Sequence, residues 1–246
     1  MQKILDREVL QQELMKRYED AKLVWGEHAD KQHRIGRGAS RDVKNFVREL
    51  QDIKAKRVLD LGCGNGRNSI YLAEHGFHVV AADFVPKAIE LTRKKIEEKN
   101  LSNRIDTVLL DSRKTPFPDS SFDAVVCGEM LDLMMKEEIR STVGNIHRML
   151  KPGGALLVRV LSDKTDSPIQ KWKGRPLDGE EGTFASYRYD HRFEKRVIRV
   201  SHMFSEKEMG ELFGGFDIKE LKLVESRDRT RYAHNMVAFK KTNSGV

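Results

Sequence analysis

The sequence predicts an α/β fold, a mostly parallel sheet with helices on both faces. Short apolar runs at Arg57–Leu61, Phe77–Ala82, IDTVLLD (105–111), FDAVVCG (122–128) and ALLVRVL (155–161) alternate with helical patterns. Parallel neighbours need crossover connections, and helices are the usual crossovers. The first run also ends in a cluster of glycines, and ligands of open α/β sheets sit outside the carboxyl ends of the strands.

Each element has its own reason. Leu10, Leu14, Tyr18 and Ala21 recur every three or four positions, so residues 1–25 read as a helix with one apolar face. GEHADKQHRIGRGAS has glycines and no hydrophobic period, which makes it a loop before a second helix around Asp42–Leu50. Residues 1–50 are therefore expected to form an N-terminal helical segment serving as a cap or lid, with the main domain over 51–246. NSIYLAEHG is a helix stopped by Gly76, and Pro86 suits the first turn of a helix whose Ile89 and Ile96 share a face. Met149 closes another helix before the turn Lys151-Pro152-Gly153-Gly154. Residues 162–182, with Pro168, Pro176 and five acidic residues, read as an insert. Alternating runs at Phe184–Tyr189 and Val197–His202 predict an antiparallel pair. Ser205 and Glu208 form a capping box for EKEMGELF, and FDIKELKLVE and AHNMVAFKK are two last strands.

Composition narrows the function. With 39% hydrophobic and 34% charged residues, the 246-residue chain has enough apolar surface for a core. No run approaches the roughly 18 apolar residues of a membrane span, and the start lacks a signal core, so a soluble cytoplasmic protein is expected. Two cysteines, Cys63 and Cys127, are too few for a disulfide framework and lack zinc-ligand spacing. The net charge of +7 is spread as +2 over residues 1–55, +2 over 56–160 and +3 beyond, without the basic stripe of a dedicated nucleic-acid protein.

The chemistry concentrates in Val58-Leu59-Asp60-Leu61-Gly62-Cys63-Gly64-Asn65-Gly66. Glycines at a strand tip let backbone approach a ligand closely. Arg67 stands where a dinucleotide fingerprint needs glycine, and the P-loop GK[ST] is absent. Asp60, two residues before the first glycine, would repel a pyrophosphate and suits a ligand bearing an ammonium group.

These residues resemble the first motif of the class I S-adenosylmethionine-dependent methyltransferases, an acid followed by G-x-G-x-G after strand one, and the later motifs follow in order over roughly residues 55–160. The resemblance implies a Rossmann-like, seven-stranded sheet with an antiparallel terminal strand. It implies S-adenosyl-L-methionine as cofactor, with S-adenosyl-L-homocysteine as product. Asp60, Gly62, Cys63, Gly64 and Gly66 match the cofactor loop. Asp83 matches the acid that accepts from both ribose hydroxyls, and Phe84 its neighbour on the adenine. Asp111 with Ser112 matches the contact to the adenine amino group, and Cys127 and Gly128 match the strand end that meets the methionine moiety. LDLGCGNGRNSIYLAEHGFHV looks most like the tellurite-resistance and related small-molecule methyltransferases.

Methyl transfer from a sulfonium is an in-line displacement, in which the protein positions the nucleophile and excludes water. C-G-E-M after strand four is not the N/D-P-P-F/Y of exocyclic adenine methylation, and no Pro-Cys pair supports attack on cytosine. Acceptor-site candidates are Glu129 and Asp132 beyond strand four, with Trp172, Tyr187, Tyr189, His191 and His202 from the insert and hairpin, since a carboxylate or His takes a proton from a hydroxyl or thiol. Trp25 and the loop Arg34–Gly38 are candidates to close over the cofactor. No metal site is expected, although carboxylates at strand tips also suit Mg²⁺. The expected substrate is a small molecule, with RNA (tRNA) or protein as the alternative and a non-catalytic cofactor-binding regulator as a third class. Nucleic acid is a less favoured partner, a membrane is not expected as one, and the acceptor and oligomeric state stay open.

Overall fold

The structure, a computed structural model, describes Lys22, Gly26 and residues 38–165, 175–177, 179–190, 195–225 and 231–242, excepting the side chains of residues 175, 186–190 and 195–199. In chain order the elements are α1 (Arg41–Asp52), β1 (Arg57–Leu61), α2 (Arg67–Glu74), β2 (His78–Asp83), α3 (Pro86–Glu98), β3 (Ile105–Leu109), β4 (Phe122–Gly128), a 3₁₀ turn (Leu131–Leu133), α4 (Lys136–Met149), β5 (Leu150–Leu161), β6 (Arg175–Leu177), β7 (Glu180–Asp190), β8 (Lys195–His202), α5 (Glu206–Leu212), β9 (Phe216–Glu225) and β10 (Tyr232–Lys240).

Seven strands form one sheet in the order β3-β2-β1-β4-β5-β10-β9. Pairing is parallel from β3 to β5, and β10 runs antiparallel to both β5 and β9. The architecture is the seven-stranded, mostly parallel sheet expected, with the last strand of the chain as the antiparallel one. Strand order reverses between β1 and β4, and the crevice at their carboxyl ends is where such sheets hold ligands.

Alternation along each strand decides which helices it meets. Leu59, Leu61, Val125, Cys127, Leu156 and Val158 face one side, where Ile139, Val143 and Ile146 of α4 and Met209 of α5 pack. Val58, Val79, Ala81, Val126 and Leu157 face the other, beneath Val43, Phe46 and Leu50 of α1, Ile70 and Leu72 of α2 and Ile89 and Ile96 of α3. Ser40 caps α1 by accepting from the Val43 amide (3.3 Å). The buried side chains of α1, Val43, Phe46, Val47 and Leu50, pack into the core on this face of the sheet.

A second sheet, β6-β7-β8, is separate from the first. The antiparallel pair expected from the alternating runs is β7 and β8, with Tyr187 opposite Ile198 and Tyr189 opposite Arg196. The stretch expected as a plain insert contributes β6 and the start of β7, where Pro176 sits on an edge strand opposite Phe184 and tolerates the missing amide hydrogen. β8 lies against the 3₁₀ turn after β4, so the small sheet stands beside the carboxyl ends of the large one.

Candidate active site

The turn after β1 is tied by backbone bonds to the neighbouring strand. The amides of Gly62 and Cys63 both donate to the Ala82 carbonyl at the end of β2 (2.8 and 3.0 Å). Gly62, Gly64 and Gly66 all have positive φ, a conformation costly for residues with a Cβ. Their surroundings differ. A Cβ on Gly62 would press on Met130, and one on Gly66 would lie 2.7 Å from Thr92 Cγ2, whereas one on Gly64 would meet nothing within 4 Å. Gly62 and Gly66 are closed by packing, and Gly64 opens on free space. From α3, Thr92 Oγ1 donates to the Gly64 carbonyl (3.0 Å) and Lys95 Nζ to the Asn65 carbonyl (2.9 Å).

Two buried carboxylates flank this turn. Asp83 Oδ2 accepts from the Gly64 amide and Oδ1 from the Val85 amide, both at 2.9 Å. Each oxygen retains lone-pair capacity, and burial raises the carboxyl's pKa despite these bonds. Asp60 accepts from the Ser69 hydroxyl. Burial pushes it up to about 6, against the pull of Ser69 and with the nearby Asp83 charge adding to the rise. Phe84, half-buried, packs against Val85, Ala88 and Leu91.

Asp111 is paired with its near neighbour Arg113. Arg113 Nε and Nη2 grip both its oxygens, the Arg113 amide adds a further bond, and this hold keeps its pKa low. This clamp extends to Glu138 through Arg113 Nη1 (3.1 Å), while the Asp111 side chain stays about 40% exposed. Ser112 is buried, its hydroxyl paired with Thr142 Oγ1 (3.3 Å) and its carbonyl with Asn145.

Beyond β4 the chain turns sharply through Glu129, at φ +55°. Glu129 Oε1 accepts from Arg159 Nε (3.0 Å), while Arg159 Nη1 reaches Asp42 Oδ2 (2.8 Å) and Asn235 Oδ1 (3.2 Å). Asn235 Nδ2 in turn donates to Asp42 Oδ1. Sequence reasoning missed Asp42, Arg159 and Asn235. Arg159 left a signal, a charge inside the apolar run ALLVRVL; Asp42 lies 117 residues away and left none. Next to this network is Asp132 in the 3₁₀ turn, with Oδ1 buried and without a hydrogen-bond partner. Burial, then the Glu129 charge, push its pKa up to about 7.

His202 belongs to a different structure. It is fully buried, with Nε2 donating to Glu208 Oε1 (3.0 Å) and Nδ1 paired with Thr183 Oγ1 (2.7 Å). Both ring nitrogens are engaged in tying β7 and β8 to α5, so it is corrected from acceptor-site candidate to packing network. The backbones of Tyr187 and Tyr189 are in β7, but their side chains, like Trp25, residues 34–37, Trp172 and His191, lie outside the described residues. Cys63 packs on the α1–α3 face and Cys127 on the other; both are free and buried, and burial raises both thiols. Among the described residues there is no His, Cys, Asp or Glu cluster suited to a metal ion, and no helix is long and apolar enough to cross a membrane.

Comparison with known proteins agrees with this geometry. The family model described as a methyltransferase domain matches residues 58–154. A ubiquinone/menaquinone biosynthesis C-methyltransferase of Pseudomonas fluorescens is 32% identical over 211 residues, covering 82% of this chain and 76% of that protein. The chain belongs to the class I S-adenosylmethionine-dependent methyltransferases. A demethylmenaquinone methyltransferase of Clavibacter sepedonicus is 36% identical over 112 residues, 46% of this chain and 44% of that one. The chain spans about half the length of the curated relatives it matches first. In fold, it resembles a SAM-dependent methyltransferase of Methanosarcina mazei (TM-score 0.67, 24% identity, 84% of this chain and 100% of that one). TehB of Haemophilus influenzae shares the fold, with a TM-score of 0.58 at 23% identity over 80% of this chain and 62% of that one.

Proposed function

We propose that this protein transfers the methyl group of S-adenosylmethionine to a small-molecule acceptor by in-line displacement and releases S-adenosylhomocysteine. The observation that carries this reading is the pair of under-compensated carboxyls, Asp60 and Asp83, beside the open Gly64. A ligand carrying positive charge and ribose hydroxyls suits that setting: the free lone pairs of Asp83 accept from the ribose, Phe84 borders the adenine, and the backbone at Gly64 and Gly128 allows close approach. When bound, the cofactor supplies the activated methyl group. The chain's task is to hold both partners in line and keep water out.

Enclosure favours a small acceptor. The second sheet beside the 3₁₀ turn supplies a wall, and a lid ahead of α1 is supported by the close approach of Gly26 to Val85 and Lys87 just beyond Asp83. Relatives named as quinone-biosynthesis and demethylmenaquinone methyltransferases support the same class. Thinly spread charge argues against RNA or DNA, which need a basic groove. The reduced, buried cysteines suit a cytoplasmic location.

The test is calorimetry with S-adenosylmethionine and NAD, followed by a screen of thiols, phenols, amines, oxyanions and bulk tRNA read by S-adenosylhomocysteine release. Cofactor binding with turnover on a small acceptor is the expected result. Binding of NAD alone would overturn the reading, and turnover confined to tRNA that falls steeply with salt would replace the small-molecule acceptor by RNA.

A further inference from the structure

Asp132 occupies an unusual position. It lies four residues past the end of β4, in the 3₁₀ turn that β8 packs against, at the carboxyl ends of the strands where the cofactor turn also lies. Its Oδ1 is buried and has no partner, although the network next to it is fully used: Arg159 is divided among Glu129, Asp42 and Asn235. A buried polar oxygen without a partner costs free energy and is rare in native structures. Here that cost has a use if the missing partner is the bound acceptor.

Resting on the methyltransferase reading above, we propose that Asp132 is the catalytic base of this site and that the acceptor is a neutral molecule whose accepting atom carries a proton, such as a phenol or thiol. The balance is complete. The acceptor atom's electron pair forms the bond to the methyl carbon, the carbon–sulfur bond breaks with its electrons remaining on sulfur, and the acceptor proton passes to the Asp132 carboxylate. A sulfonium cation, a carboxylate and a neutral acceptor become a thioether, a carboxylic acid and a methylated product, so charge is neutralised within the site. An acceptor that arrives as an oxyanion has no proton to give and would meet the carboxylates of Asp42, Glu129 and Asp132, with Arg159 already engaged.

The groups that set the proton affinity of Asp132 are on several elements. Glu129 at the tip of β4 raises it, after burial; its own backbone amide, then Arg159 of β5 and Arg231 ahead of β10, lower it. The Cys127 thiol in β4 is close enough for the Asp132 charge to raise it in turn. From β8, the nearest titratable side chain described is His202, committed to Thr183 and Glu208. The outcome, about 7, is where a general base works best near neutral pH.

The test uses the full chain and the near-isosteric variant Asp132→Asn. Carbon-13 NMR of the aspartate carboxyls, titrated with S-adenosylhomocysteine present, is expected to show one group with a midpoint near neutrality that is missing from Asp132→Asn. Assignment of Asp132 to a midpoint below about 5 would overturn the proposal without any acceptor being known. With thiophenols and phenols of graded acidity as probes, Asp132→Asn is expected to lower kcat by about a hundredfold or more, abolish the acid limb of the pH profile and leave cofactor affinity within about twofold. Unchanged kcat in a variant that binds cofactor normally would overturn the assignment and leave the methyltransferase reading standing. Failure of the wild-type chain to bind S-adenosylmethionine would overturn both.

Discussion

Aspartates at the two ends of the same sheet live in opposite circumstances. At the amino end, Asp123 of β4 accepts from the Lys56 and Arg57 amides (2.9 and 2.8 Å) and from Lys151 Nζ (2.6 Å). Partial burial alone would raise its pKa, yet these bonds hold it below the ordinary value. At the carboxyl end, Asp60 and Asp83 are more deeply buried, Asp132 has one oxygen shut from solvent, and all three have fewer donors and are pushed up. The first arrangement contributes to stability; the second opposes it, and on the function proposed above a bound ligand completes it. Unsatisfied charge is therefore a better marker of the working end of this sheet than the mere presence of acids.

The largest effect should come from emptying the working end. Asp83→Ala removes charge-assisted acceptors and should weaken cofactor binding by about 1.5 to 3 kcal/mol, roughly ten- to hundredfold, by calorimetry. Unchanged affinity would show that the ribose partner lies elsewhere and would break the comparison at its centre.

The glycines sharpen it. Gly66→Ala drives a Cβ into Thr92 as well as straining the backbone, and should cost about 3 kcal/mol of folding stability, partly recovered in the double variant with Thr92→Ala. Gly64→Ala meets open space, so its stability cost should be only the backbone strain of about 1 to 2 kcal/mol, while cofactor affinity falls. Thermal denaturation and calorimetry on both variants separate the two losses. Equal effects on stability and binding at both positions would contradict the distinction between a closed and an open glycine.

Acidity offers a third test. Asp60 ionises near pH 4 when unfolded and near 6 when folded, so its raised value opposes folding as pH climbs from about 4 to 6, by about 3 kcal/mol when complete. A cation bound beside it lowers that folded value, so binding should release protons. S-adenosylmethionine affinity should rise about tenfold between pH 5 and 7.5, with a flatter profile in Asp60→Asn, measured by calorimetry in buffers of differing ionisation enthalpy. A flat wild-type profile would remove Asp60 from the cofactor's surroundings.

Most of the large sheet was legible because its signals are local: short apolar runs at Arg57–Leu61 and Phe122–Gly128, Gly76 ending a helix and Ser205 opening one. The glycine turn after β1 was legible for the same reason, since its glycines, Asp60 and Asp83 lie at their own strand ends. What stayed hidden depends on pairing across the chain. Asp111 carried the family pattern, but only the fold shows Arg113 gripping it with Glu138 behind. The separate sheet of β6, β7 and β8 could not be told from an insert, because a three-residue strand containing Pro176 has too little pattern of its own. His202 looked like a reagent in sequence, and burial between Thr183 and Glu208 gives it another task.

The smallest effect is expected at the amino end and completes the comparison. Asp123→Asn keeps the shape and one acceptor but loses the ion pair to Lys151, whose side chain is about half exposed, so the pair is screened and the loss should be about 1 kcal/mol of stability at neutral pH. The sign against pH follows from its lowered value. The contribution of Asp123 is present above the unfolded pKa near 4 and disappears as pH falls through the folded one, so wild type and variant should converge in strong acid. Asp60 works the other way, opposing folding increasingly as pH rises to 6. Urea denaturation of both variants across pH 3 to 8 should therefore give difference curves of opposite slope, Asp123→Asn losing relative stability with rising pH and Asp60→Asn gaining it. Cofactor affinity in Asp123→Asn should stay at the wild-type value, because its partners lie at the far ends of β1 and β5. A change in that affinity, or parallel curves for the two variants, would mean that the two ends of the sheet are not electrostatically separate.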